Sequence, residues 1–215
     1  MTSVIRPKKY LNDLNYLVQI MGRRRIVLKI VCIGDGAVGK TSIVKRYLSG
    51  DFRHDYVMTL GLDLFTKPEK IRFKGSEIEV VWQIWDLSGQ QYWRDVISSF
   101  YKGANGAILV FDVTNNLSYE NTIEWALEFY RHAGQQPIVL VGNKIDLRDK
   151  IYDSLKSNEG ARRAYELSRL MGIKIPYIET SALENINIDV VFNTLKKLIF
   201  ENAITKLLNE TESEK

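Results

Sequence analysis

The chain has 215 residues, 45% of them hydrophobic, with four prolines and a single cysteine. That suits one compact domain able to bury a core, and it excludes an internal disulfide framework. No run approaches the roughly 20 apolar residues of a membrane span and no secretory signal opens the chain, so a soluble, intracellular protein is expected. The net charge of +4 is uneven: residues 1–25 carry +5 and the remainder about −1, so the body lacks the clustered basic residues of a nucleic-acid footprint.

Residues 1–25 read as a basic extension. On a helical wheel Tyr10, Leu11, Leu14, Leu17, Val18 and Met21 gather on one side, opposite Asn12, Asn15 and Gln19. The basic flanks suit an anionic membrane surface, whereas the amide-rich polar face suits docking on protein. A disordered tail is the third alternative, and all three remain open.

From residue 26 the periods alternate. IVLKIVCIG (26–34), EIEVVWQIWD (77–86), AILVFDV (107–113), PIVLVGN (137–143) and IPYIETSA (175–182) read as strands. Cys32 lies in the first of them, as a small buried thiol. KTSIVKRYL (40–48), SYENTIEWALEFYRH (118–132), EGARRAYELSRLM (159–171) and a longer stretch from Asp189 to about Leu208 read as helices. Apolar strands separated by helices predict an α/β fold with a mostly parallel sheet covered on both faces. Residues 63–82 read instead as a hairpin around Lys74-Gly75-Ser76, placing one antiparallel strand at the edge. The expected domain spans residues 26–207, followed by a disordered polar tail at 208–215.

Ligands of such sheets bind beyond the carboxyl ends of the strands. The first strand runs into GDGAVGKT, which fits GxxxxGK[ST] between a strand and a helix. Gly34, Asp35, Gly36, Ala37, Val38, Gly39, Lys40, Thr41 and Ser42 are therefore the expected phosphate-binding segment. Glycines let backbone N–H groups turn inward onto phosphate oxygens, and the helix N-terminus adds its dipole. Lys40 brings a positive charge to the outer phosphates, and the Thr41 hydroxyl can bind Mg²⁺. Asp86 ends an apolar strand in a carboxylate; facing a metal there compensates a burial that would otherwise be costly. Trp82 and Trp85 beside it read as core. In NKID (143–146), the Asp146 carboxylate can accept the two adjacent donors of guanine, a pair that adenine lacks. Asn143 can tie this loop to the phosphate loop, and the Lys144 stem can cover the base.

With GDGAVGKT, Thr59 in YVMTLGLDLF, WDLSGQ, YKGANGAILVFDVTN, NKID and ETSA, residues 26–205 resemble the Ras superfamily of small GTPases, its Rab branch most closely. The resemblance implies a three-layer P-loop NTPase fold with a six-stranded sheet, bound GTP or GDP with Mg²⁺, and two switch segments ordered by the γ-phosphate. It makes Thr59 a second metal ligand in the GTP state and Gly89 the donor to the γ-phosphate. It likewise implies that Phe52 would lie against the base and Tyr56 over the phosphates. The main-chain N–H groups of Ser181, Ala182 and Leu183 surround the guanine oxygen, and Gln90 orients the attacking water, with Lys40 as the second catalytic residue. The implied partners are effectors, an exchange factor and a GTPase-activating protein, around a monomer.

The pattern departs from the family's at Leu87, Ser88 and Gln91 in DLSGQQ, and at Leu183, where lysine is common. No cysteine stands near the C-terminus and residue 2 is threonine, so neither prenylation nor myristoylation is expected on this chain. A GTP-hydrolysing switch is the expected function. Its rivals are a GTP-loaded interaction module with negligible turnover and a P-loop ATPase or kinase, against which Asp146 argues.

Overall fold

A computed structural model of the chain describes residues 25–49, 61–73, 76–89 and 94–213. The first strand, β1, spans Arg25–Ile33 and is followed by helix α1, Lys40–Ser49. Strands β2 (Leu62–Phe73) and β3 (Ser76–Leu87) pair antiparallel as the expected hairpin, with Phe73 opposite Ser76. A short helix α2 (Arg94–Ser99), which the sequence reading passed over, precedes β4 (Gly106–Asp112). Then come α3 (Asn116–Glu120), α4 (Thr122–Ala133), β5 (Ile138–Asn143), α5 (Ser157–Met171), β6 (Tyr177–Glu179) and α6 (Ile188–Ser213).

The sheet has six strands in the order β2-β3-β1-β4-β5-β6, and every pair except β2/β3 is parallel. The predicted fold class and edge hairpin are those observed. Alternation along the strands divides the core into two layers, because successive side chains point to opposite faces. Ile30, Cys32, Ile108, Val110, Val139 and Val141 face α1 and α6, meeting Ile43, Val44, Phe192 and Leu195. Val31, Ile33, Leu109, Phe111 and Leu140 face the other way, onto Tyr119, Trp125, Phe129 and Leu167. Cys32 is fully buried, and burial pushes its thiol well above the usual range.

Two expectations need correction. The helical pattern at 118–132 is interrupted at Asn121 rather than continuous. Arg163 of α5 explains the joint: buried, it donates to the carbonyls of Tyr119 and Glu120 and to Thr122 Oγ1 while lying 4.1 Å from the centre of the Tyr119 ring. Those carbonyls are thereby drawn to a neighbouring helix. At the C-terminus, the helical backbone of α6 runs to Ser213, through residues assigned above to a disordered tail. Neither glycine nor proline occurs between Ile188 and Ser213, so nothing in the chain stops the helix. Among the described residues, no helix is long and apolar enough to cross a membrane.

The hairpin is fastened to α6 by a polar knot. Glu69 of β2 accepts from Trp82 Nε1 of β3 at 2.8 Å and pairs with Lys196 of α6, whose side chain is 5% exposed. Trp82 is fully buried, the core role its sequence suggests. Glu69→Ala would leave a buried ammonium and an indole N–H without their acceptor. It should cost about 2 kcal/mol of unfolding free energy, to be read from urea denaturation.

Candidate functional site

The carboxyl ends of β1, β3, β4 and β5 bring Gly34, Asp86, Asp112 and Asn143 to one edge of the sheet. The loop after β1 turns into α1 by way of Ala37 (φ +62°) and Gly39 (φ +100°). A Cβ on Gly39 would stand 2.3 Å from Asn143 Nδ2, so the bare Cα is what lets Asn143 approach. Lys40, 6% exposed, curls back and donates to the Gly34 carbonyl at 2.8 Å and the Asp35 carbonyl at 2.6 Å. Two of its three donors are used this way, which leaves one for a phosphate oxygen. Burial lowers its pKa to about 8, against the pull of the Asp86 carboxylate. Val38 is buried, while Ser42 in the first helical turn is half-buried.

Asp86 is fully buried and accepts a hydrogen bond from Thr41 Oγ1 through Oδ2. Its other oxygen, Oδ1, has no hydrogen-bond partner among the described residues. Burial raises its pKa to about 6, opposed by the Thr41 bond and by Lys40. An orphaned carboxylate oxygen next to a hydroxyl is the donor set a hard divalent cation takes, so Thr41 and Asp86 fit Mg²⁺. Gly89, three residues on, packs so closely on the phosphate loop that a Cβ there would lie 2.2 Å from the Asp35 carbonyl carbon.

Asn143 uses both ends of its amide. Nδ2 donates to the Val38 carbonyl at 2.9 Å, while Oδ1 accepts from Thr180 Oγ1 at 3.0 Å and from the Ala182 N–H at 3.2 Å. One buried side chain thus joins the phosphate loop, the NKID turn and the loop after β6. Lys144 takes the left-handed conformation (φ +67°) and ion-pairs with Asp112 at 2.6 Å. Asp146 accepts from Ser181 Oγ, which in turn accepts from the Glu184 N–H at 3.0 Å. The amides after β6 also have partners within the protein. The Ser181 N–H donates to the Ile186 carbonyl at 3.3 Å and that of Ala182 to Asn143 Oδ1 at 3.2 Å. The half-exposed Leu183 closes this group. Phe52, Tyr56, Thr59 and Gln90 lie outside the described residues, so the structure assigns them no place.

Sequence reasoning missed two arginines. Arg46 of α1 donates to the carbonyls of Ala182 and Leu183 at 2.9 and 2.8 Å, across more than 130 residues of chain. Arg148, two residues after Asp146, grips Glu179 through both terminal nitrogens at 3.1 and 2.6 Å. The position of Arg148 beside NKID was a usable signal. Arg46 carries none, since only the fold brings its partners near.

The Ras family profile matches residues 29–201. The chain belongs to the Ras family. Rab and Ypt proteins are among its relatives. It is 36% identical to the Ypt/Rab-type GTPase ypt7 of Schizosaccharomyces pombe over 186 residues, 84% of this chain and 86% of that protein. It is 34% identical to the GTP-binding protein YPT1 of Saccharomyces cerevisiae, covering 88% and 86%. With the Ras-related protein Rab7 of Drosophila melanogaster it shares 32% identity, over 88% of each chain. This is a Rab-like member of the family.

The Arg46 clamp generates a prediction about nucleotide retention. Arg46→Ala should leave the fold intact but release the loop that carries Ser181 to Leu183. Two charge-assisted bonds are lost, so GDP dissociation should quicken by roughly ten- to a hundredfold. Displacement of a fluorescent GDP analogue, timed by stopped flow, gives the rate.

Proposed function

We propose that this Rab-like GTPase is a molecular switch that cycles between GDP and GTP, with Mg²⁺, and serves membrane trafficking. The observation that carries the nucleotide reading is the Asn143 side chain, which binds the phosphate loop and both base loops into one site. Residues 26–207 are its GTPase domain, acting as a cytoplasmic monomer. The basic residues 1–25 suit docking on protein or peripheral contact with an anionic membrane surface.

Guanine is selected by Asp146, whose carboxylate is oriented by the Ser181 hydroxyl. The Lys144 stem, with its head held by Asp112, covers the base. Gly34 to Ser42 enclose the phosphates, with Phe52 and Tyr56 closing over the nucleotide. Thr41 and Asp86 would hold Mg²⁺, and Thr59 would join them when GTP is bound. A cation held there would offset the negative charge of the phosphates. Lys40 and the loop amides stabilise the charge that develops as water attacks the γ-phosphorus in line, and Gln90 orients that water. Gly89 donates to the γ-phosphate, which couples hydrolysis to the segment that follows it. Effectors read the two switch segments, and a half-exposed Leu64 opposite Trp85 offers them an apolar patch at the hairpin.

Base selection is tested by Asp146→Asn. An amide cannot accept both guanine donors, so GDP affinity should fall by several kcal/mol, about a thousandfold or more. Xanthosine diphosphate should bind the variant better than the parent, as titration calorimetry would measure. Unchanged GDP affinity and selectivity would defeat the assignment.

Hydrolysis is tested by Gln90→Leu. GTP affinity should stay within a few-fold, while activator-stimulated turnover, which an arginine finger raises about 10³–10⁵-fold in this superfamily, should vanish. Single-turnover hydrolysis of preloaded GTP, with and without an activating extract, separates the outcomes. Equal rates for both proteins in both conditions would favour the interaction module without turnover.

A further inference from the structure

A carboxylate inside a phosphate loop is a liability, because it repels the anion that the loop amides attract. Asp35 stands at the second position of this loop. Both its oxygens are taken up from outside: Oδ2 accepts from Asn121 Nδ2 and Oδ1 from Trp125 Nε1, each at 2.7 Å. The donors lie 86 and 90 residues along the chain. They are four residues apart, so one helix face presents them together, starting at the joint between α3 and α4. Trp125 is 3% exposed, and an indole N–H buried to that degree is held to a definite partner.

The main chain of the same residue meets two further parts of the site. The Asp35 carbonyl accepts from Lys40 Nζ at 2.6 Å, and Gly89 lies directly against it. Asp35 is therefore touched by the helix joint, by the lysine of the phosphate loop and by the glycine that follows Asp86.

We infer that Asp35, Asn121 and Trp125 form a strut that positions the phosphate loop from the α3–α4 joint and slows nucleotide release. The inference rests on the nucleotide site proposed above. None of the three needs to touch the ligand; they are positioning residues, acting through the loop backbone. The electrostatic and positioning accounts differ in sign. If Asp35 acted on phosphate by charge alone, removing the charge would tighten nucleotide binding. If it is a strut, removal loosens binding.

The test uses the full-length protein loaded with fluorescent GDP and chased with excess unlabelled GDP in Mg²⁺. The variants are Asp35→Ala, Trp125→Phe, Asn121→Ala and the double Asp35→Ala/Trp125→Phe. Asp35→Ala should release GDP about tenfold faster, and Trp125→Phe, which keeps an aromatic ring but loses the N–H, a few-fold faster. The double variant should be no faster than Asp35→Ala alone, because both substitutions break the same bond. Asn121→Ala reads the second bond separately and should also quicken release, which keeps the test alive if Trp125→Phe fails to fold. Phe129→Leu, a buried change one turn further along α4, should lower the melting temperature and leave release unchanged. Slower or unchanged release from Asp35→Ala would overturn the strut, as would additive effects in the double variant or equal acceleration by Phe129→Leu. A wild-type protein that retains no fluorescent GDP would overturn the nucleotide reading and the strut with it.

Discussion

The site depends on one buried amide. Asn143 ends β5 with its side chain 1% exposed, and a primary amide in that position must satisfy donors and acceptor alike. Its partners lie on two segments that are remote in sequence: Val38 before the first helix, and Thr180 with Ala182 after the last strand. Each segment alone is a loop with several accessible conformations. Bonded to a common side chain at the end of a central strand, they take fixed positions relative to one another. Gly39 makes the approach possible, since any side chain there would occupy the place of the Asn143 nitrogen.

A second constraint is electrostatic. Lys40 and Asp86 are both withdrawn from water, and burial presses each toward its neutral form, the lysine down to about 8 and the aspartate up to about 6. Each partly restores the other's charge, and Thr41 adds a hydrogen bond to the carboxylate. The arrangement suits a ligand that brings anions to Lys40 and a cation to Asp86, because binding then supplies the counter-charges that the protein withholds.

Around this centre, long polar side chains do the joining that short loops cannot. Arg46 reaches from the first helix to the loop after β6; Arg148 joins the NKID turn to Glu179; Arg163 gathers the carbonyls at the α3–α4 joint. Planar guanidinium groups carry several donors in fixed directions, so one residue can hold two carbonyls or both oxygens of a carboxylate. Asp35 faces the same joint that Arg163 shapes, which links the packing of α5 to the phosphate loop by way of Asn121 and Trp125.

Local chemistry made much of this protein legible in its sequence. Alternating periods announced the layered sheet, since a strand covered on both faces must be apolar throughout and its connecting helices must be amphipathic. GDGAVGKT and NKID were readable because phosphate and guanine each demand particular residue types at short spacing. Helix boundaries were less legible: the break at Asn121 comes from Arg163, more than forty residues away, and the extension of α6 to Ser213 runs against a polar composition. Arg46 and the donors to Asp35 could not be read at all. Their partners lie between 86 and 137 residues away, and no local pattern records a hydrogen bond that exists only after β1, β4 and β5 have been laid side by side. The sequence by itself determined which chemical groups the site would contain. The tertiary structure decided which of them are held together, because side-chain hydrogen bonds act over about 3 Å and only the packed sheet brings those groups within that reach.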